Sequence, residues 1–448
     1  MLLNLTIENW MSYRDEATLS LVGSRERQHM ETLAKVPGFR SKKALPVAAM
    51  YGGNASGKTG VFKALACLKE MVTTDPGADG VLPIEPFLLE RGSTLKPTVL
   101  DITFLAGKTV YRYVVEATFD GVAYESLETV TERGPRDIFE RDVEANEPYA
   151  LNRGFFTESD HVAYAAKSTR ANQLFLQSAV FQNVVELSEA FGWFSNTLEL
   201  VGVESQAWTF ATSIAKNEGF LDYAADVLSR LDTGIAKLTG ETVGVDALPK
   251  SGAISKAVSD LGEGQLLTFV GERQAGDYGF EMVNVRKDGD RPVAERLRTV
   301  HLGPDGEEHS FALSMESSGT QRLMGLLPML FDLVNPDGNA GEKVYVVDEL
   351  DRCLHTMLTK RLIEDFTAGC DAKSRKQLLF TTHDLLLMDQ SVMRRDEMYI
   401  AQRGTGGCSE LVGLAEFKDI RFDKDLIRSY LDGRFGGIPM LGEAGCRG

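Results

Sequence analysis

The sequence predicts an α/β fold organised around a phosphate-binding loop, and two observations carry this prediction. First, Gly52-Gly53-Asn54-Ala55-Ser56-Gly57-Lys58-Thr59 matches G-x-x-x-x-G-K-[ST] and follows an apolar run, Ala44 to Met50, typical of a strand. Second, another apolar run, Lys343 to Val347, ends in the carboxylates of Asp348 and Glu349. Strands that alternate with helical patterns in this way are typical of α/β proteins.

Length and composition narrow the class of protein. The 448 residues are enough for about two to three domain-sized units. No apolar run approaches the roughly 20 residues of a membrane span, and the start shows no signal-peptide pattern. Five scattered cysteines without a C-x-x-C pair argue against a zinc site or a disulfide framework. We therefore expect a cytoplasmic protein with no membrane partner.

The net charge of −17 argues against general affinity for nucleic acid, because such binding depends on Lys and Arg. One segment departs from this balance, since residues 22–43 contain six basic and two acidic side chains. The basic residues are Arg25, Arg27, Lys35, Arg40, Lys42 and Lys43, and the acidic ones are Glu26 and Glu31. Both a nucleic-acid contact and an ordinary solvated loop between two strands fit this segment.

The first 150 residues read as strands around one helix. Alternating patterns at Leu3 to Ile7 and Ala17 to Leu21 predict a hairpin, and residues 22–43 are polar and loop-like. Beyond the helix, three runs (98–105, 110–118 and 124–131) are separated by Gly107 and by Asp120-Gly121. They predict an antiparallel β subdomain within residues 1–150.

The predicted secondary structure changes twice in the middle of the chain. Residues 168–229 show helical spacing without a sustained heptad repeat, residues 231–256 are mixed, and residues 265–315 look like strands with turns at Asp288-Gly289 and Asp305-Gly306. We interpret residues 151–260 as a helical insertion. Residues 1–150 and 261–448 are then the N-terminal and C-terminal parts of one nucleotide-binding unit.

The residue types of the loop suit a nucleotide. Glycines let the backbone N–H groups converge on phosphates, and the following helix points its positive end at the same place. That helix is indicated by Val61, Phe62, Leu65, Leu68 and Met71. Lys58 is expected to reach the β- and γ-phosphates and the Thr59 hydroxyl to ligate Mg²⁺. The loop therefore predicts bound ATP with Mg²⁺.

Two further strand ends supply candidate catalytic groups. Asp348 is placed to hold Mg²⁺ through water, and Glu349 to polarise the attacking water. The run Lys376 to Thr382 ends at His383, which can donate to a γ-phosphate oxygen, although a lone histidine is more often structural. Before Asp348, Ser318-Gly319-Thr320 begins a helical pattern, where a second anion site or merely a capped helix is expected.

These motifs occur in the order used by ABC-type ATPase heads, the group that includes SMC, RecF and OLD proteins. Ser317 to Gln321 resembles the ABC signature, with Thr320 where the usual motif has a second glycine. The closer resemblance is to stand-alone AAA/ABC ATPases of phage-defence and abortive-infection operons, the RloA/AbiL-like proteins. The strings that carry it are Glu316 to Arg322, His355, Thr382 to Asp384, Arg394 to Glu397 and Tyr430 to Pro439.

The resemblance, weakest over residues 231–300, implies an ABC-ATPase head that forms a dimer or higher homo-oligomer around ATP. The P-loop of one copy would face Ser318, Gly319 and Thr320 of the other, with Asp351 and His355 near the seam. It also implies a defence switch that regulates a separate effector, a nuclease being the expected class, in response to nucleic acid or a phage protein.

Two departures from the family pattern stand out. ABC heads use a glutamine after the first helix to contact the metal, but residues 71–172 contain none, which leaves Gln173, Glu85 or water. Pro328 lies inside the signature helix and is expected to kink or shorten it. Alternatives to the defence switch are a RecF/SMC-like repair ATPase and an assembly scaffold that hardly turns ATP over. A transporter subunit fits least.

Overall fold

The structure is a computed structural model, and it describes most of the chain. The described residues are 1–202, 210, 213–214, 219–231, 233–244, 248, 252–262, 266–272, 280–288, 291–334, 341–352, 354–404, 406–417 and 426–437. Residues 1–200, 339–350 and 363–448 form one compact unit, and residues 201–338 and 351–362 form a second. The domain boundaries expected at 150 and 260 stay predictions.

A seven-stranded antiparallel sheet occupies the N-terminal part of the first unit, in the order β10-β9-β8-β7-β6-β1-β2. The strands are β1 Leu2–Glu8, β2 Ala17–Ser20, β6 Thr98–Ala106, β7 Thr109–Ala117, β8 Val122–Thr131, β9 Gly134–Asp142 and β10 Tyr149–Leu151. Alternate side chains are buried along β6, as expected for a sheet with one covered face. The hairpin and the three predicted runs are confirmed, but they belong to one larger sheet.

The second sheet of this unit has the order β11-β17-β18-β5-β19-β20. Its strands are β5 Val47–Tyr51, β11 Leu198–Val201, β17 Lys343–Val347, β18 Lys376–Thr382, β19 Met398–Arg403 and β20 Ser409–Gly413. Strands β17, β18, β5 and β19 run parallel, so their carboxyl ends share one edge. All five residues of β5 are buried, which is typical of a parallel strand covered on both faces.

The first unit has a continuous apolar core that contains residues of both sheets and of the helix after the P-loop, α1 Lys58–Thr73. The Phe104 ring stacks on Trp193 with centroids 4.5 Å apart. Polar bonds also join the sheets, since the fully buried Gln377 amide accepts from the Leu2 N–H at 2.6 Å and donates to the Leu45 carbonyl at 2.8 Å.

The region predicted to be helical is only partly so. Helices α2 Ser159–Ser168, α3 Phe175–Phe181 and α4 Ser188–Gly192 are short, a π-helical turn follows at Trp193–Thr197, and β11 then joins the parallel sheet. The apolar side chains of β11 are too few to separate a strand from a helix by spacing. Further helices are α5 Phe220–Arg230, α6 Gly252–Ser259, α7 Ser318–Val334, α8 Thr356–Ala368 and α9 Leu426–Leu431.

The second unit contains another antiparallel sheet, of order β12-β15-β14-β13 with β16 paired to β15. The strands are β12 Ile235–Val243, β13 Leu266–Glu272, β14 Phe280–Asp288, β15 Arg291–Leu302 and β16 Glu308–Ala312. Helix α7 continues past Pro328, so the expected shortening is wrong. Buried Leu323, Leu326 and Leu327 stabilise it against the lost hydrogen bond.

No helix in the described ranges is long and apolar enough to cross a membrane. Several features singled out in the sequence lie partly outside the described residues. They are the segments 168–229, 231–256 and 265–315, Gly289 of one predicted turn, Ile438-Pro439 of the family-like tail, and two of the five cysteines, Cys353 and Cys446. A two-residue pair, β3 Ala34–Lys35 with β4 Lys43–Ala44, interrupts the loop predicted at 22–43.

Candidate nucleotide site

The P-loop backbone has the curl that its glycines allow. Gly52 and Gly57 have φ of 151° and 110°, in the region that disfavours side chains. A Cβ at Gly57 would lie 2.7 Å from Ser409 Oγ and 2.9 Å from the Tyr13 hydroxyl. Gly57 is the residue before α1, so the loop delivers the chain directly into the helix N-terminus.

Lys58 folds back over its own loop. Its buried ammonium donates to the Gly52 carbonyl at 2.6 Å and to the Gly53 carbonyl at 2.8 Å. Because an ammonium needs several acceptors when it is buried, these two carbonyls hold the charge at the loop. The same three donors could be shared with phosphate oxygens.

The turn between β1 and β2 supports the loop from the side. The Tyr13 hydroxyl donates to the Gly57 carbonyl at 3.1 Å, and the Trp10 indole donates to the Gly60 carbonyl at 2.8 Å. Burial raises the pKa of Tyr13 well above its usual value, so its hydroxyl stays a donor. Sequence reasoning missed both residues, because a hairpin turn carries no signal of what it packs against.

Asp348 lies at the centre of a hydrogen-bond network at the shared strand edge. Its Oδ1 accepts from the Thr381 hydroxyl at 2.6 Å, and the Thr59 hydroxyl is 3.4 Å away. The Thr381 hydroxyl also accepts from the Glu349 N–H at 2.8 Å. One side chain, Thr381, therefore positions both the Asp348 carboxylate and the Glu349 backbone, and the sequence analysis assigned it no role.

Glu349 and His383 face one another. The His383 Nε2 and Glu349 Oε1 atoms are 4.0 Å apart, and both side chains are about one-third exposed. Glu349 has a φ of 52°, which is uncommon for a residue with a side chain. The hydrogen bond from the Glu349 N–H to the Thr381 hydroxyl holds this strained backbone in place.

A cavity of about 750 Å³ brings most of the predicted residues together. Its lining includes Asn54 to Thr59 of the P-loop together with Glu349 and His383. Apolar side chains from other segments complete the wall: Met11, Ile84, Phe87, Leu88, Leu89 and Phe119. No motif marked these residues, which lie in turns and in a loop of irregular structure.

The structure separates the two candidates for the missing glutamine. Gln173 lies in the core and donates to Gln177 Oε1 at 3.1 Å, away from the cavity lining. Glu85 lines the cavity, and its carboxylate lies 3.4 Å from the Lys63 ammonium. Of these two side chains, Glu85 is the one that lines the cavity.

The signature-like segment belongs to the second unit. Ser317 Oγ accepts from the Thr320 N–H at 3.1 Å and caps α7, which leaves Ser318 exposed at the helix start. The buried carboxylate of Glu316 bonds His301 at 2.8 Å and fixes the preceding turn. In the same unit His355 Nδ1 accepts from the Met357 N–H at 3.2 Å before α8.

The residues present fit a nucleotide with Mg²⁺. Ser56 Oγ is buried and has no hydrogen-bond partner, which leaves a polar group at the loop for a ligand. Among described residues no cluster of three or more His, Cys, Asp or Glu side chains could hold a metal alone. The neighbouring Thr59 and Asp348 suit Mg²⁺, which usually takes one or two protein ligands and completes its shell with phosphates and water.

Comparison with known families decides the class. A family model described as "AAA domain, putative AbiEii toxin, Type IV TA system" matches residues 47–235 and 256–389, well over half of the chain. The chain belongs to this AAA family. It is therefore an AAA-type P-loop ATPase by family, and the predicted α/β fold class is confirmed. The family implies that nucleotide, typically with Mg²⁺, is bound.

The comparisons with solved structures and with curated proteins do not narrow the family further. Among solved structures, the SMC head domain from Thermotoga maritima is similar, with 12% identity over 92% of this chain and 98% of that chain. The TM-score of 0.35 is too low for a structural argument. The search of curated proteins gives no match.

Proposed function

We propose that this AAA-family chain binds ATP with Mg²⁺ and hydrolyses it, as a switch that controls self-association and a separate effector. One observation carries the catalytic part. The P-loop, Glu349 and His383 line one cavity, and Asp348 lies within 3.4 Å of the Thr59 hydroxyl. These are the groups that phosphoryl transfer to water requires, in mutual reach.

Each group has a role in this proposal. The N–H groups at the start of α1, which lack partners within the helix, bind the phosphates. Lys58 exchanges its bonds to the Gly52 and Gly53 carbonyls for bonds to phosphate oxygens. Thr59 and Asp348 hold Mg²⁺, which when bound offsets the phosphate charge. Glu349 orients the attacking water, and His383 donates to a γ-phosphate oxygen.

Two substitutions test the catalytic roles. Lys58→Ala should weaken ATP binding at least tenfold in a titration, because it removes the cation that touches the phosphates. Glu349→Gln should bind ATP normally but hydrolyse it at least 100-fold more slowly. Hydrolysis by Glu349→Gln at the parental rate would contradict its role. Parental ATP affinity in Lys58→Ala would contradict the P-loop assignment.

For self-association, we propose that Ser318, Gly319 and Thr320 of one copy complete the site of another. The exposed Ser318 at the N-terminus of α7 supports this, because a helix N-terminus favours anions. A mixture of Lys58→Ala chains with Ser318→Ala chains should recover part of the hydrolysis, since one mixed site remains intact. Activity no greater than that of either variant alone would argue for sites within single chains.

The biological setting we propose is anti-phage defence in the cytoplasm, with a nuclease as the effector and nucleic acid or a phage protein as the trigger. The family description, which names an abortive-infection toxin and a Type IV toxin–antitoxin system, supports this setting. Phage plating on bacteria that carry the gene and its neighbours should show protection that Lys58→Ala removes. Unchanged plating together with sensitivity to DNA damage would favour the repair ATPase.

A further inference from the structure

We propose that a surface outside the lining of the nucleotide cavity binds the phosphate backbone of a nucleic-acid duplex. We call it the basic stripe, and it consists of Arg25, Arg27, Lys35, Lys42, Lys43 and Lys373. It lies in the first unit and needs no nucleotide to form, so it stands independently of the ATPase proposal.

Four neighbouring backbone segments each contribute to the stripe. The Gly23 N–H donates to the Lys43 carbonyl at 2.9 Å, Lys43 pairs with Lys35 across β3 and β4, and the Lys35 N–H donates to the Ala372 carbonyl at 3.0 Å. Adjacent strands lie about 4.8 Å apart, so the four segments span roughly 14 Å. Measured along the axis of a DNA duplex, one strand has about four phosphates in this length.

The hairpin presents its lysines to solvent. Ala34, Val36 and Ala44 are buried in a small apolar cluster beneath it. Alternation then places Lys35 and Lys43 on the outer face, directly opposite each other. Like charges in this position destabilise a strand pair, so folding gives no reason for both lysines.

Arg394 and Arg395, part of the family-like string, orient the arginines of the stripe. The fully buried Arg394 guanidinium donates to the Glu26 carbonyl at 3.2 Å, and Arg395 pairs with the Glu26 carboxylate at 2.7 Å. Glu26 is thereby turned inward, and its neighbours Arg25 and Arg27 are exposed. The segment therefore shows its positive charges and hides the negative charge between them.

The nearby carboxylates have partners of their own, and Glu31 lies 3.7 Å from His29. The Asp371 carboxylate accepts from the N–H groups of Lys373 and Ser374, both at 2.8 Å, and Glu132 lies 3.7 Å from Arg40. Within the described part of the chain, no residue of the stripe forms an ion pair. In a chain of net charge −17, these six cations form a local positive surface that attracts a polyanion.

The stripe favours a duplex over a single strand. Single-strand sites stack bases on exposed aromatic rings. The one aromatic ring of the hairpin, Phe39, is half-buried with the Lys42 ammonium 4.6 Å from its centroid. Backbone contact alone implies sequence-independent binding with a strong dependence on salt.

The test is fluorescence anisotropy of the full chain, without nucleotide, on a labelled 30-base-pair DNA duplex at 50–200 mM salt. The stripe variant combines Lys35→Gln, Lys43→Gln and Lys373→Gln. The matched control removes equal charge at exposed basic residues elsewhere, as Lys108→Gln, Arg153→Gln and Lys167→Gln. Thermal unfolding of both variants checks the fold, which neutralising the Lys35–Lys43 pair should leave intact.

We expect the stripe variant to bind roughly 100-fold more weakly at 0.1 M salt, and the slope of log K against log salt to fall by about 2.7. The control should change affinity by less than threefold. Equal losses in both variants would overturn the proposal, as would a wild-type chain that does not bind the duplex at 50 mM salt. Tighter binding to the unpaired strand would overturn the duplex assignment.

Discussion

Thr381 offers the sharpest test of how the site is built. It is buried, and its one hydroxyl donates to Asp348 at 2.6 Å and accepts from the Glu349 N–H at 2.8 Å. Valine has nearly the same shape, so Thr381→Val removes both bonds without opening a cavity. A lost bond to a carboxylate costs about 1.5–3 kcal/mol, and an unsatisfied backbone N–H costs about 1–3 kcal/mol.

The predicted loss for Thr381→Val is therefore about 2.5–6 kcal/mol, a large share of a typical stability of about 5–15 kcal/mol. Thr381→Ser keeps the hydroxyl and loses one buried methyl group, worth about 1 kcal/mol. We expect Tm to fall by about 5–10 °C in the valine variant and by a few degrees at most in the serine variant.

The same substitution should alter the metal requirement. Asp348 loses the donor that orients it, and removal of such a supporting contact typically weakens metal binding about 10- to 100-fold. The assay is ATP hydrolysis over a Mg²⁺ titration, at a temperature where all variants are folded. Thr98→Val, at a buried threonine that donates to a carbonyl, is the control and should not change the Mg²⁺ requirement. Equal Mg²⁺ dependence in Thr381→Val and Thr381→Ser would refute this reasoning.

Two further predictions concern the loop and the core. Gly57→Ala should abolish ATP binding in a titration, because its Cβ would meet Ser409 and Tyr13 at a φ of 110°; parental affinity would show that the loop can relax. Burial raises the pKa of Glu397 to about 8 from an ordinary value of 4.5. The unfolded chain then loses this proton first, so stability falls as pH rises from about 4.5 to 8. Glu397→Gln should reduce this pH-dependent loss of unfolding free energy by up to a few kcal/mol, at about 1.4 kcal/mol per pKa unit, and Tm measured across this pH range checks it. An unchanged pH dependence of Tm would contradict the role given to Glu397.

Burial is the largest cause of the raised pKa of Glu397, and the neighbouring Asp396 carboxylate adds to it. The buried Arg394 already has a bidentate partner in Asp396, with N–O distances of 2.7 and 2.8 Å. An ionised Glu397 would add a negative charge that this pair does not balance, so the neutral acid is favoured.

Much of the site could be predicted because its motifs are local. The spacing of Gly52, Gly57, Lys58 and Thr59 forces a particular backbone, and an apolar run ending in acids places Asp348 at a strand edge. Thr381, Tyr13 and Trp10 could not be predicted in the same way. Their roles arise from contacts between segments 33 to 50 residues apart in sequence, and no local pattern encodes those contacts.

The fold likewise has elements that a local sequence pattern predicts and elements that it does not. Strong period-two patterns located β6, β7 and β8, whereas β11 was missed because four residues do not establish a period. Helix α7 was expected to be kinked or shortened by Pro328, but it continues to Val334, and its buried leucines offset the hydrogen bond that proline removes.

The support that Tyr13 and Trp10 give to the P-loop bears on how this protein should be cut for study. The family match begins at residue 47, after the hairpin that carries both side chains. An expression fragment trimmed to that boundary would retain every recognisable nucleotide motif. It would lack the Tyr13 and Trp10 side chains, which donate hydrogen bonds to the P-loop and the start of α1. Failure of such a fragment to bind ATP would say nothing about the full chain.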